Sequence, residues 1–415
     1  MRGVKALLNH TIDTNLKLEA DGKTPRAISF EGEAGTGKTS IVRQVAKERN
    51  MGFIKLNFSQ IDEAGDLAGY PLKEFECQAA KQVLGEDGKP KMQVLSGTVW
   101  LNEKQLESPM KGMMYRQTGK TRMGYAKPAW VPEYNENGTL VLFDDYNRAN
   151  QAILKAAMDL ILEQKYISWS LPKKTTIVIT QNPDNGSYNV ESQDEAQAGR
   201  YLDYKTELDI DAWAAWAENS GMDGRCINFV LSYFGELFNS DEDGNHICNP
   251  RSFEMFSDMI SDVKDWEVPE NLEFIQLISK GCFRDEGGRF NKIFASFIRN
   301  KMHLLIQPKE LLLGDWKTVL PKLEETVYDS NGQPRPDLAS LLERRFVNYV
   351  SLWLESKEDT PIDKVKKRIL DFIDNPRPIF PQDLMIHMVK TIISDHKRQT
   401  CKLMGEPKIA KLAMA

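Results

Sequence analysis

Long apolar runs are missing from this chain. No stretch approaches the ~20 residues that a membrane-spanning helix needs. The opening Met1-Arg2-Gly3-Val4-Lys5-Ala6-Leu7-Leu8-Asn9-His10 has too short an apolar core for a secretory signal. Cysteine is scarce: the five thiols (Cys77, Cys226, Cys248, Cys282, Cys401) are odd in number and include no Cys-x-x-Cys pair. Reduced thiols in a cytoplasmic protein are the expectation, not a disulfide framework. The five histidines lack metal-ligand spacing, so a structural zinc is not expected. Basic charge is not in excess either: 54 Lys and Arg against 60 Asp and Glu leave a net charge of −6. That argues against a general electrostatic grip on nucleic acid, although a local basic groove is compatible with an acidic total. No internal repeat is evident. What remains is a chain of 415 residues, 41% hydrophobic and 27% charged, long enough for about two or three domains with cores of their own.

The most informative segment present is Gly32-Glu33-Ala34-Gly35-Thr36-Gly37-Lys38-Thr39, two glycines separated by four residues and followed by Lys and Thr. This is the spelling of a phosphate-binding loop. A polyphosphate needs several backbone N–H donors aimed inward, and residues without a Cβ let the chain wrap that closely. Lys38 reaches the β- and γ-phosphates in such a loop, the Thr39 hydroxyl ligates Mg²⁺, and the loop from Gly32 through Ser40 forms the cradle. The flanks agree. Residues 26–30 read as a short buried strand, and Ile41, Val42 and Val45 give residues 38–48 a helical stripe whose positive end faces the phosphates.

Further along, residues 2–18 have helical spacing (Val4, Leu7, Leu8, Ile12, Leu16), and residues 52–58 read as a second strand. Regular alternation then pauses. A structureless loop over residues 70–130 is improbable, so an inserted subdomain of hairpins and short helices is expected there. A third strand covers 138–145, a helix 150–164, a hairpin 166–170, a fourth strand 175–180, and a fifth strand 204–208. Alternating strands and helices imply a parallel sheet with ligand at the strand C-termini. From residue 211 onward the pattern is helical, with helices expected at 228–238, 253–263, 272–278 and 290–306. Breaks are expected at 331–336 and 375–378.

The third strand ends in Asp144-Asp145. Two adjacent carboxylates at a buried strand end are costly unless a cation or hydrogen bonds compensate. A solvated acidic turn is the plainer reading. Beside a phosphate loop, Asp144 falls where a metal-holding acid belongs, and Asp145 where a base would polarise the attacking water. Glu is the usual base there; Asp is one methylene shorter, so slow turnover is expected. The fourth strand ends Thr180-Gln181-Asn182-Pro183, in a sheet order that places it between the first and third strands. Asn182 is either a turn residue before proline or the amide that holds the attacking water.

These residues together resemble the MoxR-like, dynein-related branch of the AAA+ ATPases. The resemblance rests on the Gly32–Thr39 loop, Asp66-Leu67-Ala68-Gly69-Tyr70-Pro71, Pro128-Ala129-Trp130-Val131-Pro132, Leu142-Phe143-Asp144-Asp145-Tyr146-Asn147-Arg148-Ala149 and Thr180-Gln181-Asn182-Pro183. It extends over about residues 2–300 and is weak beyond 310. It implies an α/β fold: a P-loop AAA+ core with a five-stranded parallel sheet (residues 1–210, insert 70–130), an α-helical lid (211–306) and a helical C-terminal extension (307–415). On the same resemblance Asn182 matches the first sensor. Arg200 matches the arginine finger that acts on a neighbouring subunit's nucleotide, although Ala198-Gly199 replaces the bulkier residues expected before it. Arg251, in Asn249-Pro250-Arg251-Ser252, matches the second sensor; a surface role is the alternative for both arginines. Arg148 is either an intersubunit contact or a salt bridge. The insert takes the place of a pore- or substrate-facing insertion. Tyr70, Met113, Met114 and Tyr115 are candidate contacts there, with filling the insert's own small core the preferred reading.

The implied activity is Mg²⁺-dependent ATP hydrolysis by a ring, a hexamer, that remodels a client protein, with a von Willebrand factor A-domain protein as a partner by association. The loop reads phosphates and not the base, so GTP stays open beside ATP. A nucleic-acid-directed motor and a slow nucleotide-gated assembly switch are the competing classes. No membrane association is expected.

Overall fold

The computed structural model describes residues 2–84, 90–185, 188–191, 197, 199–239, 247–283, 285, 288–329, 331–355, 362–395 and 400–415. The chain divides into two compact units, Arg2–Glu207 and Leu208–Ala415. Among the described residues, no helix is long and apolar enough to cross a membrane.

In the first unit, α1 (Arg2–Ala20) buries the stripe Val4, Leu8 and Ile12. The Asn15 amide donates to the Arg26 carbonyl (2.9 Å), which ties α1 to the turn before β1 (Ala27–Glu31). The loop follows, then α2 (Lys38–Glu48), with Ile41, Val42 and Val45 buried, and β2 (Gly52–Asn57). α3 (Ala64–Ala68) leads into the insert, formed by β3 (Pro71–Leu84), β4 (Pro90–Asn102), α4 (Glu103–Glu107) and β5 (Met113–Tyr125). β6 (Thr139–Asp144), α5 (Gln151–Glu163), the short pair β7 (Lys165–Tyr166) and β8 (Trp169–Ser170), β9 (Thr175–Gln181) and β10 (Tyr201–Lys205) complete the unit.

The main sheet has five strands in the order β10-β1-β9-β6-β2. Every pairing in it is parallel. All residues of β6 and β9 are buried, as central strands covered on both faces must be. The five-stranded parallel sheet expected from the sequence is present, with β9 between β1 and β6. The fifth strand begins at Tyr201 and not at residue 204, because its register is Ala27 opposite Tyr201 through Glu31 opposite Lys205. Pairing ends where β1 ends, so Thr206 closes the ladder with its N–H on the Glu31 carbonyl (2.7 Å) and residues 206–208 are not strand.

The insert is a separate three-stranded antiparallel sheet, β4-β3-β5. Its root explains two of the sequence segments singled out above. The Trp130 indole donates to the Leu67 carbonyl (2.9 Å). Gly69, at φ 86°, passes so close to the Ala126 carbonyl that a Cβ has no room. A single layer of three strands cannot cover both of its faces. Met113 and Tyr115 are half-buried, but Tyr70 is 54% and Met114 63% exposed. Core filling therefore fails for those two side chains.

Among the described residues the second unit is built of helices, with one isolated bridge between Tyr328 and Pro334, and holds one continuous apolar cluster running from Trp213 to Ile409. The boundary expected at residues 306 and 307 lies inside this unit. At its centre Phe229 meets Phe290, Phe294 and Phe297 at ring separations of 5.4, 5.2 and 5.1 Å. The helix expected over 290–306 stops earlier, as Arg289–Arg299, where Lys301 adopts a left-handed conformation at φ 55°. Arg345 is buried in this core, and its guanidinium is shared between Glu218 (2.6 Å), Asn228 (2.8 Å) and Gln307 (3.1 Å).

Candidate functional site

The glycines of the loop do different work. Gly32 is buried at the end of β1, where an added Cβ would sit 2.6 Å from the Thr206 carbonyl oxygen. Close packing beside β10, not phosphate approach, requires glycine there. Gly35 and Gly37 adopt left-handed φ values of 80° and 85°, which curl the backbone into a concave turn of N–H groups at the start of α2. Thr36 stabilises the turn by donating to the Glu33 carbonyl (2.8 Å). Lys38 is buried, and its ammonium donates to the Gly32 (2.5 Å) and Glu33 (2.9 Å) carbonyls. A buried cation at the mouth of a helix N-terminus is a receptor for anions. Ser40 is exposed, one step further round α2.

The parallel sheet brings the acidic pair to this loop. Asp144, at the C-terminal end of β6, accepts from the Thr39 hydroxyl (2.6 Å) and the Thr180 hydroxyl (2.7 Å) on Oδ1. Its Oδ2 meets the Lys55 ammonium at 2.7 Å. Burial works to raise the Asp144 pKa, but Lys55 and the two hydroxyls outweigh it and hold the carboxyl below its ordinary range. Asp144 is therefore an ionised, nearly enclosed carboxylate within hydrogen-bonding distance of the loop's threonine.

Asp145 adopts a left-handed conformation (φ 53°, ψ 41°). Among residues with a Cβ, Asp and Asn tolerate this region best, which gives a backbone reason for Asp here in place of the longer Glu. Its N–H donates to Thr180 Oγ1 (3.2 Å) and its carboxylate accepts from the Asn182 amide (3.0 Å). Asn182 is in turn locked by a reciprocal pair with Asn147: its N–H donates to Asn147 Oδ1 (3.1 Å), and Asn147 Nδ2 donates to its carbonyl (2.7 Å). Thr39, Asp144, Asp145 and Asn182 thus form one connected set.

The three arginines singled out in the sequence occupy different elements. Arg200, just before β10, is half-buried; its N–H donates to the Gln197 carbonyl (3.2 Å), and its charge acts on the Tyr146 phenol. Most of the segment before it, residues 192–196 and 198, lies outside the described residues. Arg148 is exposed. Arg251 belongs to the second unit, where it is exposed in the first turn of the helix Pro250–Ile260. Asn249 caps that helix reciprocally with Ser252, with proline in the first turn.

Four contributors escaped the sequence reading. Thr180 bridges both aspartates, Asn147 holds Asn182, and Lys55 pairs with Asp144. Tyr188 accepts the Ala34 N–H (3.1 Å) and donates to the Glu33 carboxylate (2.5 Å), which also accepts from Asn185 (3.3 Å). Burial, joined by Glu33, pushes the Tyr188 phenol pKa up. Nothing local in the sequence marked these four for the site.

A hydroxyl and a carboxylate in contact are hard oxygen donors suited to Mg²⁺. Among the described residues no cluster of three or more His, Cys, Asp or Glu could hold a metal without help. That donor set fits a cation delivered with a phosphate, held between Thr39 and Asp144.

Comparison with known proteins agrees at the level of the core. Residues 28–88 match the family model described as AAA, ATPase family associated with various cellular activities. With the strand order, this supports a P-loop AAA+ ATPase core. No curated protein matches the chain. Among solved structures, the Thermotoga maritima RuvB Holliday junction branch migration motor is 12% identical, with 80% of this chain and 91% of that chain covered and a TM-score of 0.36. A point mutant of the same RuvB is 11% identical, with 78% and 79% covered and a TM-score of 0.33. Superpositions this loose carry no argument about function.

Proposed function

We propose that this chain binds ATP with Mg²⁺ and hydrolyses it slowly, as a ring-forming MoxR-like AAA+ ATPase that remodels a client protein. The observation that carries the nucleotide reading is the 2.6 Å contact between Thr39 and Asp144, which joins the phosphate loop to the acidic strand end. Thr39 and Asp144 would hold the metal, which when bound neutralises charge on the transferring phosphoryl group. Lys38 would exchange its loop carbonyls for phosphate oxygens. Asp145, oriented by Asn182, would take the proton of the attacking water. Arg200 would act in trans on a neighbour's nucleotide, and Arg251 would report the γ-phosphate from the lid. The hexamer, the client and a von Willebrand factor A-domain partner rest on the sequence resemblance alone.

One observation favours a second reading, the slow assembly switch: Asp145 is short and already engaged by Asn182 (3.0 Å). Single-turnover kinetics beside a partner pull-down separate the two. The ring is tested by particle mass with and without ATP or GTP, using Lys38→Ala as control. A nucleotide-dependent six-fold particle supports it. A monomer under every condition leaves Arg200 without a target.

A further inference from the structure

Lys55 reaches Asp144 through the geometry of the sheet. In β2, Ile54 and Leu56 pack into the apolar cluster that holds Val141 and Phe143. Period-two alternation therefore turns Lys55 to the opposite face. That face carries α2, whose Arg43 lies over the Phe53 ring (5.6 Å). The parallel register sets Lys55 opposite Leu142 and Asn57 opposite Asp144. A four-carbon stem spans the two-residue step and places the ammonium 2.7 Å from Asp144 Oδ2. Both carboxylate oxygens are thereby occupied, Oδ1 by the Thr39 and Thr180 hydroxyls and Oδ2 by a full positive charge.

The two kinds of partner differ in what they permit. A hydroxyl is neutral and, once rotated, presents a lone pair to a cation. An ammonium has no lone pair and repels a divalent ion brought to the same carboxylate. The Asp144 side chain is 10% exposed and held by neighbours, whereas that of Lys55 is 36% exposed on a flexible stem. If one partner moves, it is the lysine.

Building on the nucleotide reading above, we infer that Lys55 is the resident counter-ion of the metal-holding carboxylate, and that a nucleotide-borne divalent cation displaces it. Without metal, Lys55 keeps Asp144 from repelling the polyphosphate, so metal-free nucleotide is tolerated. With metal, part of the binding free energy is used in ion exchange. Lys55 thus sets how strongly nucleotide affinity depends on magnesium. It is a positioning residue, since it acts through Asp144.

The test is the Kd for ADP by titration calorimetry, with magnesium and with EDTA, on the full chain. ADP binding by the wild-type protein tests the nucleotide reading itself; its absence in both buffers removes that reading and this inference with it. In Lys55→Met, metal-free binding should weaken by roughly tenfold while magnesium-supported binding holds or tightens. Equal changes in both buffers, or no change in either, overturn the inference and leave a purely structural ion pair. Two further variants cover a Lys55→Met protein that does not fold. Lys55→Arg keeps the charge but grips the carboxylate with a fork, so it should retain metal-free binding and lose magnesium-supported affinity. Lys55→Met combined with Asp144→Asn should bind metal-free ADP like wild type and gain nothing from magnesium; a persistent magnesium gain places the metal elsewhere and overturns the inference.

Discussion

The two units bury polar groups to opposite ends. In the first, Lys38, Asp144, Asn147, Thr180, Gln181 and Asn182 are all buried at or just beyond the C-terminal edge of the parallel sheet. Their hydrogen bonds connect loop to strand and strand to turn, beside the concave turn of N–H groups at Gly35 and Gly37. In the second, the buried Arg345 closes on partners of its own unit: its guanidinium is held by Glu218, Asn228 and Gln307. A satisfied internal network rigidifies, whereas a network whose members can exchange partners is a site. Degree of burial is similar in the two; what differs is whether a ligand could replace the partners.

The largest effect that would sharpen this contrast is on chemistry in the first unit. Asp145→Asn should lower single-turnover ATP hydrolysis by about 100-fold or more, the usual range for loss of a general base. Its melting curve should stay unchanged, because Asn tolerates the same left-handed conformation. An Asn variant as fast as wild type removes Asp145 from the mechanism. Asp145→Glu restores the usual reach but strains the backbone, so it should melt earlier than Asp145→Asn.

Next comes stability in the second unit. Arg345→Met leaves the buried Asn228 and the half-buried Glu218 without that partner and should cost about 3–5 kcal/mol in urea unfolding. ADP affinity should be unaffected. A matching loss of affinity would break the contrast, since the Arg345 network would then serve the site.

The smallest effect is in pH dependence, where the two buried carboxyls have opposite signs. The Asp144 pKa is lowered in the folded state despite burial, by Lys55, Thr39 and Thr180. Its contribution is complete above the ordinary carboxylate pKa of about 4 and lost as pH falls through the lowered value. The Glu343 pKa is raised, by burial above all, against the pull of His387 and Arg344. Its folded form holds the proton longer, so stability falls as pH rises from the ordinary value to the raised one. Melting temperatures measured across the acid range should show Asp144→Asn flattening the acid-side loss and Glu343→Gln flattening the fall with rising pH. Slopes of the same sign would contradict the assigned environments.

The loop was legible in the sequence because its chemistry is local: the spelling from Gly32 to Thr39 sets the turn, and α2 runs over the expected residues. The acidic strand end and Asn182 were legible because each follows an apolar run that stops abruptly, Leu140–Phe143 in β6 and Ile177–Ile179 in β9. Lys55, Thr180 and Asn147 were not, since each acts across a pairing or a loop contact between distant segments. The left-handed backbone at Asp145 was hidden too, so its short side chain read only as a departure from the usual Glu. The insert was foreseen as hairpins and short helices but not as one three-stranded layer, which leaves Met114 on β5 exposed; Tyr70 lies in the link before β3, exposed, with its hydroxyl on Glu63 and Asp66. Strand pattern alone does not reveal what, if anything, packs over such a layer.

Everything assigned to the first unit depends on a polyphosphate seated on the amides between Gly32 and Thr39. Direct titration of ATP and GTP into the full chain with magnesium, beside Lys38→Ala, tests that most simply. Saturable binding at one site per chain, lost in Lys38→Ala with its melting transition intact, is the predicted result. A folded wild-type chain that takes up neither nucleotide contradicts the account.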